Sequence, residues 1–188
     1  MVTLNTGRTV PLEGGLVLTG RRSTSGSCEP KKGIAMSLVL KATAFVNGSE
    51  IPRKYTCSGA DLSPALIWDG VSPAAHSLAL IVDDPDAPRG TWTHWLIWNI
   101  PAHLTALPEG VPAREVLENG TCQGTNDFHR IGYGGPCPPP GKAYRYFFKL
   151  YALDAALDLK AGAGRQELER AMWGHVLSQA EWMGMYRR

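Results

Sequence analysis

The sequence predicts a mainly β protein, an antiparallel β-sandwich with helices near its C-terminal end. Short runs rich in β-branched and aromatic residues recur along the chain, and loops dense in Gly and Pro separate them. An apolar period of three to four residues, typical of a helix, is found only in the last part. The 188 residues suffice for one domain with a substantial core, and 44% hydrophobic with 19% charged residues is the composition of a soluble globular protein.

The first 35 residues are predicted to form a disordered extension before the folded domain, which spans 36–188. They are rich in Gly, Ser and Thr and carry five basic against two acidic residues; a functional basic tail is the alternative. The other 14 basic and 15 acidic residues nearly cancel, which argues against a nucleic-acid partner. No run reaches the roughly 18 apolar residues of a membrane span. Since residues 1–18 also lack the uninterrupted apolar core of a secretory signal, we expect a cytoplasmic protein without an integral membrane segment.

Four strands are predicted in the first two thirds of the chain. They are residues 37–45, 65–68, 77–82 and 92–100. The run 77–82 is apolar on both faces, as expected of a central strand that is covered on both sides. A period of two over 92–100 places His94 on one face with Leu96 and Trp98, and Thr93, Trp95 and Ile97 on the other.

A long irregular region, residues 102–141, separates these strands from the rest. It holds many Gly and Pro residues and no helical period, and loops of this length usually build a site or a lid. A further strand is predicted at 144–153, with Tyr144, Tyr146 and Phe148 on one face. From 165 to about 183 the apolar spacing predicts C-terminal helices, a pair if Gly174 interrupts them.

The stretch 83–99 carries the clearest signal of a site. It places Asp84 and Asp86 in a proline-rich turn between two apolar runs, with His94 at the start of the second run. A carboxylate that accepts from one imidazole nitrogen fixes the tautomer and leaves the other nitrogen for a ligand. The alternative is that the carboxylates bind turn amides and that His94 is a packed, satisfied side chain.

Proline and glycine also shape two turns near this stretch. Either peptide bond before Pro85 or Pro88 is a candidate for the cis form. In 132–141, glycines would let the backbone approach a ligand, and the remaining amides would form an anion nest. The alternative for this segment is a stiff surface corner.

Cysteine spacing and known motifs exclude several functions. Cys57 and Cys137, like the other two cysteines, belong to no zinc pattern, and their participation in a disulfide stays open. A nucleophilic pair of Cys137 and His94 has little support, because the sequence indicates neither proximity nor an activating helix end. No phosphate-binding loop or zinc-protease motif is present, so we expect no cofactor and no metal.

Several motifs together resemble the phosphatidylethanolamine-binding protein family, above all its bacterial and archaeal branch, known as YbhB/YbcL or Raf kinase inhibitor-like. In order along 36–187 they are D-P-D-A-P, W-T-H-W with N-I-P, G-G-P-C-P-P-P-G, Y-R-Y-F-F-K-L-Y-A-L-D and G-H-V-L. The resemblance implies a β-sandwich with C-terminal helices and a small surface pocket for an anion of phosphate or carboxylate type.

The resemblance also implies which residues bind this anion. Carried over position by position, they are Asp84, Trp92, His94, Gly135, Pro136, Pro138 and Tyr146. Asp86 would support the turn. Tyr144 stands where family members often have a histidine, so the pocket lacks one donor that can carry charge, although a tyrosine hydroxyl still donates.

Two classes of function follow. The first is a non-catalytic binding protein in which His94 and Tyr146 donate to the anion and Asp84 orients His94; it would regulate or inhibit a kinase or protease through the loop 102–126. The alternative is a small hydrolase that uses His94 as general base with Asp84 behind it. The oligomeric state stays open, a homodimer included.

Overall fold

The computed structural model describes residues 37–188, so the predicted extension, residues 1–35, lies outside the described residues. The described part consists of two antiparallel sheets, a short 3-10 helix at Arg53–Tyr55 and an α-helix. Its strands and α-helix are β1 Val39–Ala42, β2 Leu66–Asp69, β3 Ser77–Asp84, β4 Trp92–Pro101, β5 Ala106–Leu107, β6 Cys122–Gln123, β7 Tyr144–Leu153, α1 Arg165–Met172 and β8 Val176–Tyr186.

The two sheets form the predicted sandwich. The smaller has the order β1-β2-β5 and the larger the order β6-β4-β3-β7-β8. Every residue of β3 is buried, which confirms the prediction of a central strand. A first core lies between the sheets and contains Leu40 and Trp68 of the smaller sheet together with Leu80 and Phe148 of the larger.

A second core lies on the other face of the larger sheet, against α1. Ile81, Leu96 and Trp98 contribute to it from the sheet, and Leu168 and Met172 from the helix. Because β3 is flanked by both cores, its apolar side chains from Leu78 to Val82 alternate between them.

Strand β4 contains a β-bulge at His94. Two consecutive residues of β3, Val82 and Asp83, pair with Trp95 and Thr93, so His94 is an extra residue without a partner on β3. An extra residue shifts the alternation of side chains by one position. The bulge therefore changes the face on which His94 lies.

The imidazole of His94 packs on Tyr146, which belongs to the first core together with Trp95. Leu96 and Trp98 belong to the second core. The alternation predicted for this strand is thus right for 95–98 and wrong for Thr93 and His94, because the strand is not regular at His94. Thr93 pairs with Asp83, whose side chain faces α1, and so lies on the face opposite to Trp95.

The predicted helix over 176–183 is wrong, because Val176–Tyr186 is a strand. Helix α1 ends at Met172, and Gly174 adopts a left-handed φ of 83° that turns the chain back. Strand β8 then pairs with β7 from Leu153↔Val176 to Tyr144↔Tyr186. A spacing of four residues fits a strand period of two as well as a helix, so pairing with β7 decides the outcome.

The cis hypothesis for the proline turn is also wrong, because the described residues contain no cis peptide bond. The amide of Asp86 donates to the Asp84 carboxylate at 2.8 Å, and the Gly90 amide donates to the Ala87 carbonyl at 3.2 Å. These two hydrogen bonds close the turn while the peptide bonds before Pro85 and Pro88 are both trans.

In the described part of the chain, no helix is long and apolar enough to cross a membrane.

Candidate functional site

A cavity of about 180 Å³ opens where β3, β4 and β7 meet the loop 132–141. It contains most of the residues predicted to form a site, and their neighbours complete its wall. The lining residues are Asp84, Ala87, Pro88, Trp92, His94, Phe128, Cys137, Pro138, Pro139, Tyr144 and Tyr146.

Strand register explains why these side chains converge. Asp84 is the direct partner of Trp92 on β4, and Tyr144 and Tyr146 lie on the same face of β7 as Phe148, as predicted. The bulge adds His94 to this group, because it moves the imidazole to the face of the first core.

The His94 ring is held by the backbone of the loop 132–141. Its Nδ1 lies 2.6 Å from the Gly134 carbonyl, and the side chain is almost completely buried. Burial lowers the pKa of His94 to about 4, so the ring is neutral at pH 7. In the neutral ring Nδ1 must carry the proton, because a carbonyl only accepts; Nε2 is therefore left as an acceptor.

The prediction that Asp84 orients His94 is wrong. The structure contains no hydrogen bond between the two described side chains: Asp84 Oδ1 accepts from the Asp86 amide, and His94 Nδ1 donates to Gly134. Burial, helped by the nearby carboxylates of Asp86 and Asp83 and opposed by hydrogen bonds from backbone amides, raises the pKa of Asp84 to about 6. Asp84 thus changes its charge near neutral pH.

Sequence reasoning missed Phe128, which packs edge-on against His94 and Trp92 at centroid distances of 5.3 and 5.4 Å. The Asn126 carboxamide fixes its position by accepting from the Phe128 amide at 3.0 Å. A Cβ on Gly134 would lie 2.6 Å from the Phe128 ring, so only glycine permits this contact. An aromatic residue inside a Gly-rich loop was the available signal.

Two donors near the cavity lack an acceptor. Trp92 Nε1 and Tyr146 Oη are both buried and have no hydrogen-bond partner among the described residues. A buried donor without a partner costs about 1–3 kcal/mol. Burial, reinforced by the Asp84 carboxylate, raises the pKa of Tyr146 far above its ordinary value, so its hydroxyl remains a donor.

The predicted residues Asp86, Gly135 and Pro136 do not line the cavity. Asp86 accepts from Arg145 Nε at 2.9 Å and Nη2 at 2.7 Å, and this hydrogen-bonded cation lowers the pKa of Asp86 to about 2. The bonds between Asp86 and Arg145 thus hold the proline turn against β7. The Pro136 carbonyl accepts from the Cys57 amide at 3.1 Å.

The predicted anion nest does not form at Gly134 and Gly135. The Gly134 amide donates to the His94 carbonyl at 2.9 Å, and the Gly135 amide donates to the Asp61 carboxylate at 2.7 Å. Both donors are therefore occupied within the protein. A Cβ on Gly135 would lie 2.5 Å from the Tyr55 carbonyl oxygen, so this glycine serves close packing instead.

Cys57 and Cys137 form a disulfide with each other, with their Cα atoms 5.4 Å apart. Cys137 lines the cavity, so the bridge belongs to its wall. A disulfide sulfur is not a free thiolate, which excludes the pairing of Cys137 and His94 as a nucleophile and base in this state.

The fold and the cavity define a β-sandwich protein with a small pocket at the ends of its central strands. The model of the family described as phosphatidylethanolamine-binding protein matches residues 41–187. The chain belongs to this family.

Relatives from several organisms support the assignment. A UPF0098 protein of Methanothermobacter thermautotrophicus is 54% identical over 149 residues, which cover 79% of this chain and 98% of that protein. A UPF0098 protein of Pyrococcus horikoshii is 49% identical over 176 residues, 92% of this chain and 85% of the relative. The crystal structure of E. coli YbcL, described as a new member of the mammalian PEBP family, superimposes with a TM-score of 0.75 at 31% identity and covers 81% of this chain and 99% of that chain.

Proposed function

We propose that this protein is a non-catalytic binding protein for a small oxyanion, such as phosphate, a phosphorylated headgroup or a carboxylate. The observation that carries the proposal is the pair of donors without acceptors, Trp92 Nε1–H and Tyr146 Oη–H, on residues that line the cavity. Both atoms are shielded from solvent, so a ligand oxygen would reach and satisfy them after a small opening of the cavity wall; buried polar groups in folded proteins are nearly always paired.

The size of the cavity supports a small ligand group. Its volume of about 180 Å³ is below the roughly 300 Å³ at which pockets for drug-sized molecules begin. A phosphate, or the phosphate end of a larger molecule, is of suitable size.

The charge of the cavity favours an oxyanion that carries its own proton. No lysine or arginine is among the described residues that line it, and Asp84 is acidic. A protonated ligand oxygen would donate to the acceptor Nε2 of His94, while its other oxygens accept from Trp92 and Tyr146. Tyr144, which stands where family members often have a histidine, adds no positive charge to the cavity.

The hydrolase alternative has less support. A base with a pKa of about 4 removes protons weakly at neutral pH. The partner of His94 Nδ1 is the Gly134 carbonyl rather than the Asp84 carboxylate, so no carboxylate is hydrogen-bonded to the ring to stabilise an imidazolium.

Thermal unfolding with phosphate tests the proposal. Millimolar phosphate should raise the melting temperature of the wild-type protein, and His94→Ala should abolish the rise. Tyr146→Phe is the sharper variant: it removes a hydroxyl without a partner, so the ligand-free protein should be at least as stable while the protection by phosphate decreases.

Tyr151→Phe, on the other face of β7, is the matched control and should be protected like the wild type. Absence of any shift in the wild type, or full protection of Tyr146→Phe, would contradict the proposal. Hydrolysis of phosphate or carboxylate esters that depends on His94 would favour the enzyme instead.

Regulation or inhibition of a kinase or protease is the wider role that we propose for the binding protein. A second cavity of about 460 Å³, largely apolar, lies within 104–119, inside the segment predicted to contact such a partner. Inhibition assays with kinases and proteases test this role, and loss of inhibition in a Leu117→Asp variant would locate the contact. We also propose a cytoplasmic location, which cell fractionation tests. Whether the protein forms a homodimer is tested by gel filtration.

A further inference from the structure

The disulfide holds a part of the cavity wall, residues 137–140, that has few other anchors among the described residues. Up to Pro136 the loop is held by backbone bonds, including those from Cys57 to Pro136 and from Gly134 to His94. From Cys137 to Pro140, no backbone hydrogen bond is found within residues 37–188, and three successive prolines have no N–H to offer. The bridge and the Gly141 amide, bonded to the Arg188 carbonyl at 3.2 Å, hold this piece at its two ends.

The two sulfurs have different surroundings. Cys57 is exposed to solvent, whereas Cys137 is half-buried in the cavity wall. Arg188 Nη1 lies 3.7 Å from Cys137 Sγ. A guanidinium at this distance stabilises a thiolate on Cys137, which makes this sulfur the better leaving group.

We propose that the Cys57–Cys137 bridge is a thiol–disulfide exchange site, open to attack at Cys57, that controls the cavity wall. The thiolate of a small thiol or of a protein dithiol attacks Cys57 Sγ, the S–S bond breaks, and its electron pair leaves on Cys137 as a thiolate beside Arg188. Cys57 then carries a mixed disulfide. A second thiolate attacks the external sulfur of this mixed disulfide, releases the Cys57 thiolate and completes a two-electron reduction in which two external thiols become one disulfide.

Exchange changes the cavity without removing its polar groups. The wall residues Cys137, Pro138 and Pro139 lose their covalent anchor, whereas the bond between His94 and Gly134 does not depend on the bridge. A ligand in the reduced protein would meet a wall that is not preorganised, so its binding should weaken. This consequence rests on the proposed oxyanion binding, but the chemistry of exchange does not.

Peptide mapping after reaction with glutathione tests the exchange. A Cys122→Ser background removes the free cysteine of the described part of the chain. We expect glutathione on Cys57 and a free thiol on Cys137 in the first product. Arg188→Gln should slow its formation roughly threefold, since a less stable leaving thiolate departs more slowly, whereas Arg187→Gln, the adjacent exposed arginine, should react like the parent protein.

Glutathione on Cys137, or equal rates for the Arg188→Gln and Arg187→Gln variants, would overturn the assignment. The second arm measures inorganic phosphate binding at 25 °C in the oxidised protein and in protein reduced with dithiothreitol, with circular dichroism to confirm the fold. We expect roughly tenfold weaker binding after reduction.

Equal binding by the two forms would refute control of the cavity. Binding by neither form would refute the proposed function, while the mapping result still decides the exchange site.

Discussion

His94 and Asp84 show how burial sets the chemistry of single residues in this cavity. Both side chains are buried, and burial disfavours the charged form of each. It lowers the pKa of His94 to about 4 and raises that of Asp84 to about 6. The histidine is therefore a neutral acceptor at pH 7, and the carboxylate is the group that titrates in mild acid.

Anion binding should therefore strengthen as the pH falls through 6. Above its pKa of about 6, Asp84 is ionised and repels an anion; below it, the neutral acid can donate. Sulfate has no proton to donate to His94 Nε2 and should therefore bind more weakly than phosphate, but its own charge does not change in this range, so its binding reports the charge of Asp84 alone. We expect roughly tenfold tighter sulfate binding at pH 5.5 than at pH 7.5, measured by calorimetry.

Asp84→Asn should bind sulfate more tightly at pH 7.5 and lose most of the pH dependence. An unchanged pH profile in this variant would show that another group controls binding.

At the scale of elements, strand β3 separates two adjacent acids with different roles. Asp84 faces the cavity, whereas Asp83 points to the other side of the sheet, where it is fully buried. Lys149 of β7 and Arg165 of α1 each approach its carboxylate to 2.9 Å. The helix is therefore attached to the end of the central strand by an ion pair as well as by the second core.

Removing the positive charge of Arg165 on α1 should lower the stability of the protein. Arg165→Met leaves the buried Asp83 carboxylate with Lys149 alone, and we expect the free energy of unfolding to fall by roughly 1–3 kcal/mol. Arg170→Met, on the exposed face of the same helix, is the control and should change it by less than about 0.5 kcal/mol. Urea unfolding, followed by circular dichroism, measures the stability of both variants. Equal stability of Arg165→Met and Arg170→Met would contradict a stabilising role for the ion pair between Arg165 and Asp83.

At the scale of the whole molecule, the disulfide joins segments that are 80 residues apart in sequence. Such a bridge reduces the conformational freedom of the unfolded chain. It links the loop after the 3-10 helix to the wall of the cavity, so the same bond bears on stability and on the shape of the site.

Replacing both bridged cysteines should lower global stability. For Cys57→Ser/Cys137→Ser we expect a loss of roughly 2–4 kcal/mol in the free energy of unfolding, because the unfolded chain regains the entropy of an open loop. Denaturant unfolding without reductant measures this loss, with Cys122→Ser as the control expected near zero. A double variant as stable as the wild type would show that the bridge does not constrain the unfolded chain.

Much of the fold was accessible from sequence because strong local patterns match it. The continuous apolar run 77–82 became the buried central strand, and the aromatic alternation of 144–153 placed Tyr144 and Tyr146 on one face. Local patterns failed where one apolar spacing fits two kinds of secondary structure: apolar residues four apart in 176–183 are compatible with a helix and with a strand. They also failed at His94, because an inserted residue in a strand leaves no mark in the hydrophobic pattern.

By itself, the sequence determined the sandwich, its central strand, the family and most of the residues that line the cavity. Residue types, their periods and their motifs are local properties, so they can be recognised without coordinates. Only the tertiary structure decided the face of His94, the partner of its Nδ1, the use of the glycine amides and the pairing of Cys57 with Cys137. These depend on the distances between segments far apart in the chain, which strand register and loop packing set together.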